Sequence, residues 1–245
     1  MRYFGLLGFP LTHSFSQKYF TEKFRTLGVE NCVYENFSIP DINGLNEIIF
    51  NKKALEGFNI TIPYKKSILY FLDELSEPVK KMGACNCVKI IDGKLKGFNT
   101  DIVGFQKSLQ SFLKPVHQKA LILGTGGASA AVEYVFQQLN ISYQFVSRNT
   151  SEKAIRYSDL TQDILETHQL IINTTPLGMY PKLDACPDIP FQFITEQHHL
   201  FDLIYNPIET RFLTLGKQQG ASIQNGYEML ILQAEESWRI WNELI

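Results

Sequence analysis

Short apolar runs alternate with helix-length amphipathic stretches along most of the chain, the pattern expected of parallel sheets covered by helices. Residues 3–8 read as a strand, 16–27 as a helix, 32–37 as a strand, 41–50 as a helix and 55–61 as a strand, together one α/β unit. Residues 87–91 and 94–98 predict a hairpin, because Asp92-Gly93 supplies the positive φ angles of a two-residue turn. After Thr100-Asp101 a helix runs to about residue 113, and 119–123, 142–146, 170–172 and 200–204 read as buried strands separated by helices. This restart predicts a second α/β unit. A last helix, 227–243, carries Met229, Leu232, Glu236 and Ile240 near one face. The expected fold class is therefore α/β, in two domains divided near residue 102 with the active site in a cleft between them.

Composition narrows the class. The 245 residues exceed the ~150 of a common domain, and 44% apolar with 20% charged residues excludes a disordered chain. With 23 Lys+Arg against 25 Asp+Glu, the net charge of −2 provides no field for a nucleic acid backbone, so no nucleic-acid partner is expected. Gly, Pro, His, Ser, Asn and Gln interrupt the uncharged stretches 3–17 and 134–147, well short of the ~18 apolar residues of a spanning helix; no membrane partner is expected. Pro10 and His13 break the apolar start, which reads as a strand and not as a signal sequence. Cys32, Cys85, Cys87 and Cys186 are too few for a disulfide framework, and Cys85-x-Cys87 lacks the second pair a structural zinc requires. A cytoplasmic, reduced and metal-free protein is expected, with monomer or homodimer left open.

The strand 119–123 runs into Gly124-Thr125-Gly126-Gly127-Ala128-Ser129 and then a helix. Gly124 permits the tight turn, Gly126 lets the backbone approach a pyrophosphate, and the helix start presents N–H groups and its positive dipole end to the charge. An acidic residue about 20 positions on would accept hydrogen bonds from a free ribose 2′-OH. Residues 134–151 contain none, and the next strand ends in Ser147-Arg148-Asn149. A guanidinium there pairs with a 2′-phosphate that a carboxylate would repel, which favours NADP.

Hydride chemistry on a secondary alcohol also needs a group to take the hydroxyl proton. In Asn59-Ile-Thr61-Ile-Pro63-Tyr-Lys65, Pro63 suits a first helical position and puts Lys65 in the first turn, where the dipole disfavours the ammonium. Lys65 is the candidate base, against the plainer reading of a surface lysine beside Lys66. Asp101 is a candidate cap or, paired with Lys65, its holder. Ser14 and Ser16, two apart in an extended segment, could aim both hydroxyls at one carboxylate, or Ser16 could cap the next helix. His13 reads as a structural hydrogen-bonder.

Taken together, these segments resemble the shikimate dehydrogenase family from the first strand to the last helix. They are Gly8-Phe-Pro-Leu-Thr-His13-Ser14-Phe-Ser16, the 59–65 segment, Gly83-Ala-Cys-Asn86, Asn99-Thr-Asp101, the 124–129 turn, Asn173-Thr174-Thr-Pro-Leu-Gly178-Met179, Asp202-Leu203-Ile-Tyr205-Asn-Pro207 and Asn225-Gly226-Tyr-Glu-Met-Leu-Ile-Leu-Gln233. The resemblance implies reversible, NADP-dependent reduction of 3-dehydroshikimate to shikimate in aromatic amino-acid biosynthesis, without a metal. It implies that Ser14 and Ser16 bind the substrate carboxylate, that Thr61, Asn86 and Gln233 bind ring hydroxyls with Tyr205 nearby, and that Lys65 and Asp101 form the catalytic pair. The cofactor would meet Gly124, Thr125, Gly126, Gly127, Ala128, Ser129, Ser147, Arg148, Asn149, Thr174, Leu203 and Gly226. The last helix would return to the first domain, giving 1–102 with 226–245 as substrate domain and 103–225 as a Rossmann-type NADP domain.

Four features depart from the family pattern. Gln17 stands where proline usually follows the second serine, which would loosen that helix start; Ser147 and Asn149 flank Arg148 where Asn and Thr are common; Tyr227-Glu228 replaces Leu-Gly; and the chain is short, with little after Gln233. An NAD-using quinate/shikimate dehydrogenase is the nearest alternative, opposed by Arg148 and the missing acid. A non-catalytic binding protein on the same fold would be expected to lose Lys65 or Asp101, and both are present. A folate-linked dehydrogenase would have no use for the carboxylate-and-diol residues.

Overall fold

The computed structural model describes residues 1–11 and 14–243. The chain forms two compact units, residues 1–100 with 234–245, and residues 101–233. In the first, β1 (Arg2–Gly8), α1 (Phe15–Thr26), β2 (Cys32–Ser38), α2 (Leu45–Asn51) and β3 (Leu55–Ile60) are followed by β4 (Glu74–Leu75), α3 (Glu77–Met82), β5 (Cys87–Ile91) and β6 (Lys94–Phe98). The sheet order is β2-β1-β3-β5-β6-β4. β1 runs parallel to β2 and β3, whereas β5 is antiparallel to β3 and to β6. Asp92 and Gly93 adopt φ of 51° and 78° at the hairpin turn, as the dipeptide predicts.

Buried clusters pack on this sheet, and its parallel strands β1 and β3 are mostly buried along their length. Leu7, Phe37, Phe58, Ile60, Ile68 and Val88 fill one cluster. Phe4, Phe20, Phe24, Tyr34 and Trp241 fill another, in which Phe4 stacks on Trp241 at 4.8 Å and Phe20 on Tyr34 at 4.5 Å. Trp241 donates its indole N–H to Val88 O at 2.9 Å. The buried Lys89 ammonium donates to the carbonyls of Ile240 and Glu243, meeting orphan acceptors at the C-terminal end of the last helix.

The second unit contains α4 (Asp101–Gln110), β7 (Lys119–Leu123), α5 (Gly127–Gln138), β8 (Ser142–Ser147), β9 (Ala154–Arg156), α6 (Gln162–Thr167), β10 (Leu170–Asn173), β11 (His199–Asp202), α7 (Arg211–Gln218) and β12 (Ser222–Gln224), and the first part of α8 (Tyr227–Asn242). Its order is β12-β11-β10-β7-β8-β9, every pair parallel. The chain leaves β7 toward one edge and returns through β10 toward the other, so the switch point lies between β7 and β10, where such sheets bind ligands at their carboxyl ends.

The units divide differently from the sequence reading. Asp101, Ile102 and residues 226–233, counted there with the first domain, belong to the second unit. The reason is packing: a Cβ on Gly104 of α4 would lie 2.6 Å from Met229 O and 3.1 Å from Gln233 Cβ of α8, so a bare glycine lets the two backbones touch. Among the described residues no helix is long and apolar enough to cross a membrane.

Candidate functional site

In the second unit, Gly124 has φ +99°, a conformation L side chains rarely adopt, and its N–H donates to Val146 O at 2.8 Å. Helix α5 begins at Gly127 after Gly126, with no side-chain cap. The first N–H groups of the helix therefore have no side-chain cap at Gly126. Cβ atoms on Gly126 or Gly127 would meet nothing within 4 Å, so the space above the turn is open. Thr125 is exposed and Ala128 half-buried. Ser129, at the third position of the glycine pattern, is buried and turns its hydroxyl back to Gly126 O at 2.7 Å; it closes the turn from within.

The other residues assigned to the cofactor gather at the same strand ends. Thr174 donates N–H and hydroxyl to Leu123 O at 3.0 and 2.7 Å, and its Oγ1 lies 3.0 Å from a Cβ built on Gly124. Leu203 N–H donates to Asn173 O at 3.0 Å, and Gly226 N–H to Ile204 O at 3.0 Å. A Cβ on Gly226 would fall 2.1 Å from Leu203 O. Arg148 is exposed at the end of β8 beside Ser147, whose hydroxyl donates to Asn149 O. Burial pushes the Tyr157 phenol up to about 12, opposed by the Arg148 charge acting on it.

Sequence reasoning gave Asp202 and Asn173 no role, yet they hold this rim. Asp202, fully buried, accepts from Thr210 Oγ1 at 2.6 Å, Asn173 Nδ2 at 3.0 Å and Ile204 N–H at 3.0 Å. Burial pushes its carboxyl up to about 6 against those donors. Asn173 Oδ1 accepts from the Thr175 N–H and hydroxyl at 3.0 and 2.7 Å. Their spacing, 29 residues apart on neighbouring strands, leaves no local signal; only the pairing of β10 with β11 brings them together.

In the first unit, the helix start differs from expectation. Helix α1 begins at Phe15, so Ser16 is helical and not in an extended segment, and Ser14 is the cap, accepting from Gln17 N–H at 3.1 Å. Gln17 therefore supplies a donor that proline lacks, and its side chain accepts from Asn36 Nδ2 at 2.9 Å; the start is fastened and not loosened. Used as an acceptor, the Ser14 oxygen keeps its own proton for donation. His13 lies outside the described residues.

Lys65 is not in the first turn of a helix. Residues 62–66 form turns, and only a short 3₁₀ helix, Ser67–Phe71, follows. The backbone here has tertiary partners: Lys65 O accepts from Cys85 N–H at 2.8 Å, and Tyr64 donates its hydroxyl to Ile39 O at 2.6 Å. The helix-dipole argument for Lys65 therefore falls, while the half-buried lysine remains anchored through its main chain. Thr61 N–H donates to Leu7 O at 2.9 Å.

Asn86 is buried in a polar network. Its Oδ1 accepts from Thr100 N–H at 2.7 Å and its Nδ2 donates to Thr100 Oγ1 at 3.1 Å. Asn59 donates to Ser237 Oγ at 2.8 Å and to Asn86 O at 3.3 Å and accepts from the Tyr34 hydroxyl at 2.9 Å. Burial pushes the Tyr34 phenol well up, opposed by the Ser16 hydroxyl.

The remaining assigned residues fall in the second unit. Asp101 opens α4, where a carboxylate suits the positive dipole end. Half-buried Tyr205 has its phenol pushed up by burial. Gln233 is buried, with Nε2 donating to Leu230 O at 2.9 Å. Glu228, whose place the sequence left open, lies in the first turn of α8 and accepts from Gln224 Nε2 at 3.5 Å. Among the described residues no group of three or more His, Cys, Asp or Glu could hold a metal.

The glycine turn at the switch point of a parallel sheet defines the second unit as a Rossmann-type dinucleotide-binding unit. The family model of the shikimate dehydrogenase substrate binding domain matches residues 6–88. A shikimate dehydrogenase (NADP(+)) of Methanococcus maripaludis is 39% identical over 254 residues, covering 97% of this chain and 90% of its own. The chain is similar to the crystal structure of shikimate 5-dehydrogenase from Thermus thermophilus in complex with NADP(H) and shikimate (TM-score 0.88, 30% identity, 100% of this chain and 95% of that one). It is also similar to quinate dehydrogenase from Corynebacterium glutamicum in complex with NAD (TM-score 0.87, 25% identity, 98% and 93%). This chain belongs to the shikimate dehydrogenase family.

Proposed function

We infer that this chain reduces 3-dehydroshikimate to shikimate, reversibly and with NADP, as an oxidoreductase of aromatic amino-acid biosynthesis. What carries the reading is the agreement over nearly the whole chain with the Methanococcus relative, whose name states that activity and that cofactor.

The turn at Gly124, Thr125, Gly126, Gly127, Ala128 and Ser129 suits a pyrophosphate by its open space and uncapped helix start. Arg148, flanked by Ser147 and Asn149, takes the 2′-phosphate; Thr174, Leu203 and Gly226 form the rim that holds the nicotinamide end. Bound in this turn, the oxidised cofactor would supply the hydride acceptor for the carbinol carbon and its reduced form the hydride donor for the carbonyl. Lys65 Nζ takes the hydroxyl proton as that carbon becomes a carbonyl and gives it back in the reverse direction, with Asp101 holding the ammonium. Ser14 and Ser16 donate to the substrate carboxylate, and Thr61, Asn86 and Gln233 to its ring hydroxyls, with Tyr205 beside them. We place residues 1–102 and 226–245 with the substrate and 103–225 with the cofactor. The four cysteines are free, which suits the reducing cytoplasm.

Purified protein given shikimate and NADP is expected to form NADPH and 3-dehydroshikimate in equal amounts, much faster than with NAD or quinate. Comparable rates with NAD and quinate would support the quinate dehydrogenase reading, which Arg148 opposes. No turnover with any pair would leave a binding protein.

A further inference from the structure

We propose that Thr100 is a positioning residue for the substrate: it clasps both ends of the Asn86 amide and holds that amide in one orientation. The proposal rests on the reading of Asn86 as a substrate ligand and adds a residue to it.

A backbone N–H can only donate, so the 2.7 Å bond from Thr100 N–H identifies the Asn86 atom it meets as oxygen. Thr100 Oγ1 accepts from the amide nitrogen at 3.1 Å and also donates to Oδ1 at 3.3 Å, so the N–H fixes the end-for-end orientation that an asparagine side chain otherwise leaves open and the hydroxyl ties both ends of the amide in place. With both Nδ2 protons on one nitrogen, the clasp also sets the direction in which the amide presents itself to a ring hydroxyl. Thr100 is itself held: it is fully buried, and its Oγ1 lies 3.2 Å from Ser237 Oγ on α8. Ser237, also fully buried, accepts from Asn59 Nδ2, and Asn59 is fixed by its second bond to Asn86 O. Thr100 further precedes Asp101, so one residue sets a proposed ligand through its side chain and a proposed catalytic carboxylate through the chain.

The test is Thr100→Val, which keeps the shape and removes the hydroxyl, beside Thr100→Ser, which keeps the hydroxyl. Losing an acceptor from a buried amide is expected to raise the KM for shikimate roughly tenfold, with the KM for NADP unchanged and Thr100→Ser close to wild type. A merely structural loss would move both KM values and the Ser variant too. Asn86→Ala supplies the background: if Thr100 acts through Asn86, Thr100→Val adds nothing to the shikimate KM of Asn86→Ala. An unchanged KM in Asn86→Ala would overturn the reading of Asn86. A raised KM there with an unchanged one in Thr100→Val, or full additivity, would overturn the proposal alone. Should Thr100→Val fail to fold, Ser237→Ala tests the same clasp one bond away: a raised shikimate KM with unchanged NADP KM supports it, and unchanged values for both overturn it.

Discussion

Two glycines of the cofactor rim are expected to respond to the same substitution in opposite ways. A Cβ on Gly226 falls 2.1 Å from Leu203 O and 2.6 Å from Leu203 C. Ordinary contact needs more than 3 Å, so the two backbones must separate by about 1 Å, and overpacking of this kind costs about 1–3 kcal/mol. Because Gly226 N–H and Leu203 N–H are both bonded across the strand ends at 3.0 Å, the displacement has no slack to absorb it. At roughly 2–4 °C per kcal/mol for a chain of this size, Gly226→Ala lowers Tm by several degrees and raises the KM for NADP. A Cβ on Gly127 meets nothing within 4 Å, and in a helix alanine is favoured over glycine by up to about 1 kcal/mol. Gly127→Ala therefore leaves Tm unchanged or raises it slightly, while the methyl enters the space proposed for the pyrophosphate and raises the KM for NADP. The assay is thermal unfolding of both variants without ligand, followed by initial rates against NADP at saturating shikimate. A Gly226→Ala protein with wild-type Tm, or a Gly127→Ala protein with wild-type NADP KM, would refute the reasoning.

Arg148→Ala is expected to raise the KM for NADP by one to two powers of ten and to change that for NAD little, because only NADP carries the 2′-phosphate; equal effects on both in parallel kinetics would remove that role. Stability should fall with acid through His199, which is fully buried and bonded to Ser222 and Gln224. Burial lowers its pKa from 6.5 to about 4, so below pH 6.5 the unfolded chain takes up a proton that the folded chain refuses. At about 1.4 kcal/mol per pH unit, this removes roughly 2 kcal/mol between pH 7 and pH 5. Asp202 acts in the opposite direction: its carboxyl is raised from 3.8 to about 6, and its stabilising contribution is lost as pH rises through that range. Urea unfolding of wild type and His199→Gln at both pH values isolates the histidine, and the variant should lose about 2 kcal/mol less on acidification; parallel losses would contradict this.

Legibility in the sequence followed the range of the forces involved. The hairpin at Asp92-Gly93 and the strand entering Gly124 are local, and both appear where the residues predict them. The strands β9 and β12 have three residues each, too few to show a period, and only pairing with β8 and β11 makes them strands. Lys65 was misplaced because Pro63 is a sound helix-start signal, whereas the Lys65 carbonyl finds its donor in Cys85, 20 residues away. The compact units divide after Thr100 and after Gln233 because α4 and α8 meet through the bare backbone at Gly104, a contact with no hydrophobic signature. The residues proposed for the substrate follow from the family segments, while the buried frame of Tyr34, Asn59, Thr100 and Ser237 has no signal of its own in the sequence. Its members are spread over β2, β3, α8 and the loop before α4, and each alone reads as an ordinary polar residue.

The most direct test of the account is the pair of constants kcat and KM for Lys65→Ala with shikimate and NADP. If Lys65 moves the hydroxyl proton, kcat falls by roughly 10²-fold or more while KM for shikimate and NADP change far less. A kcat equal to that of wild type would contradict the role given to Lys65 and, with it, the mechanism.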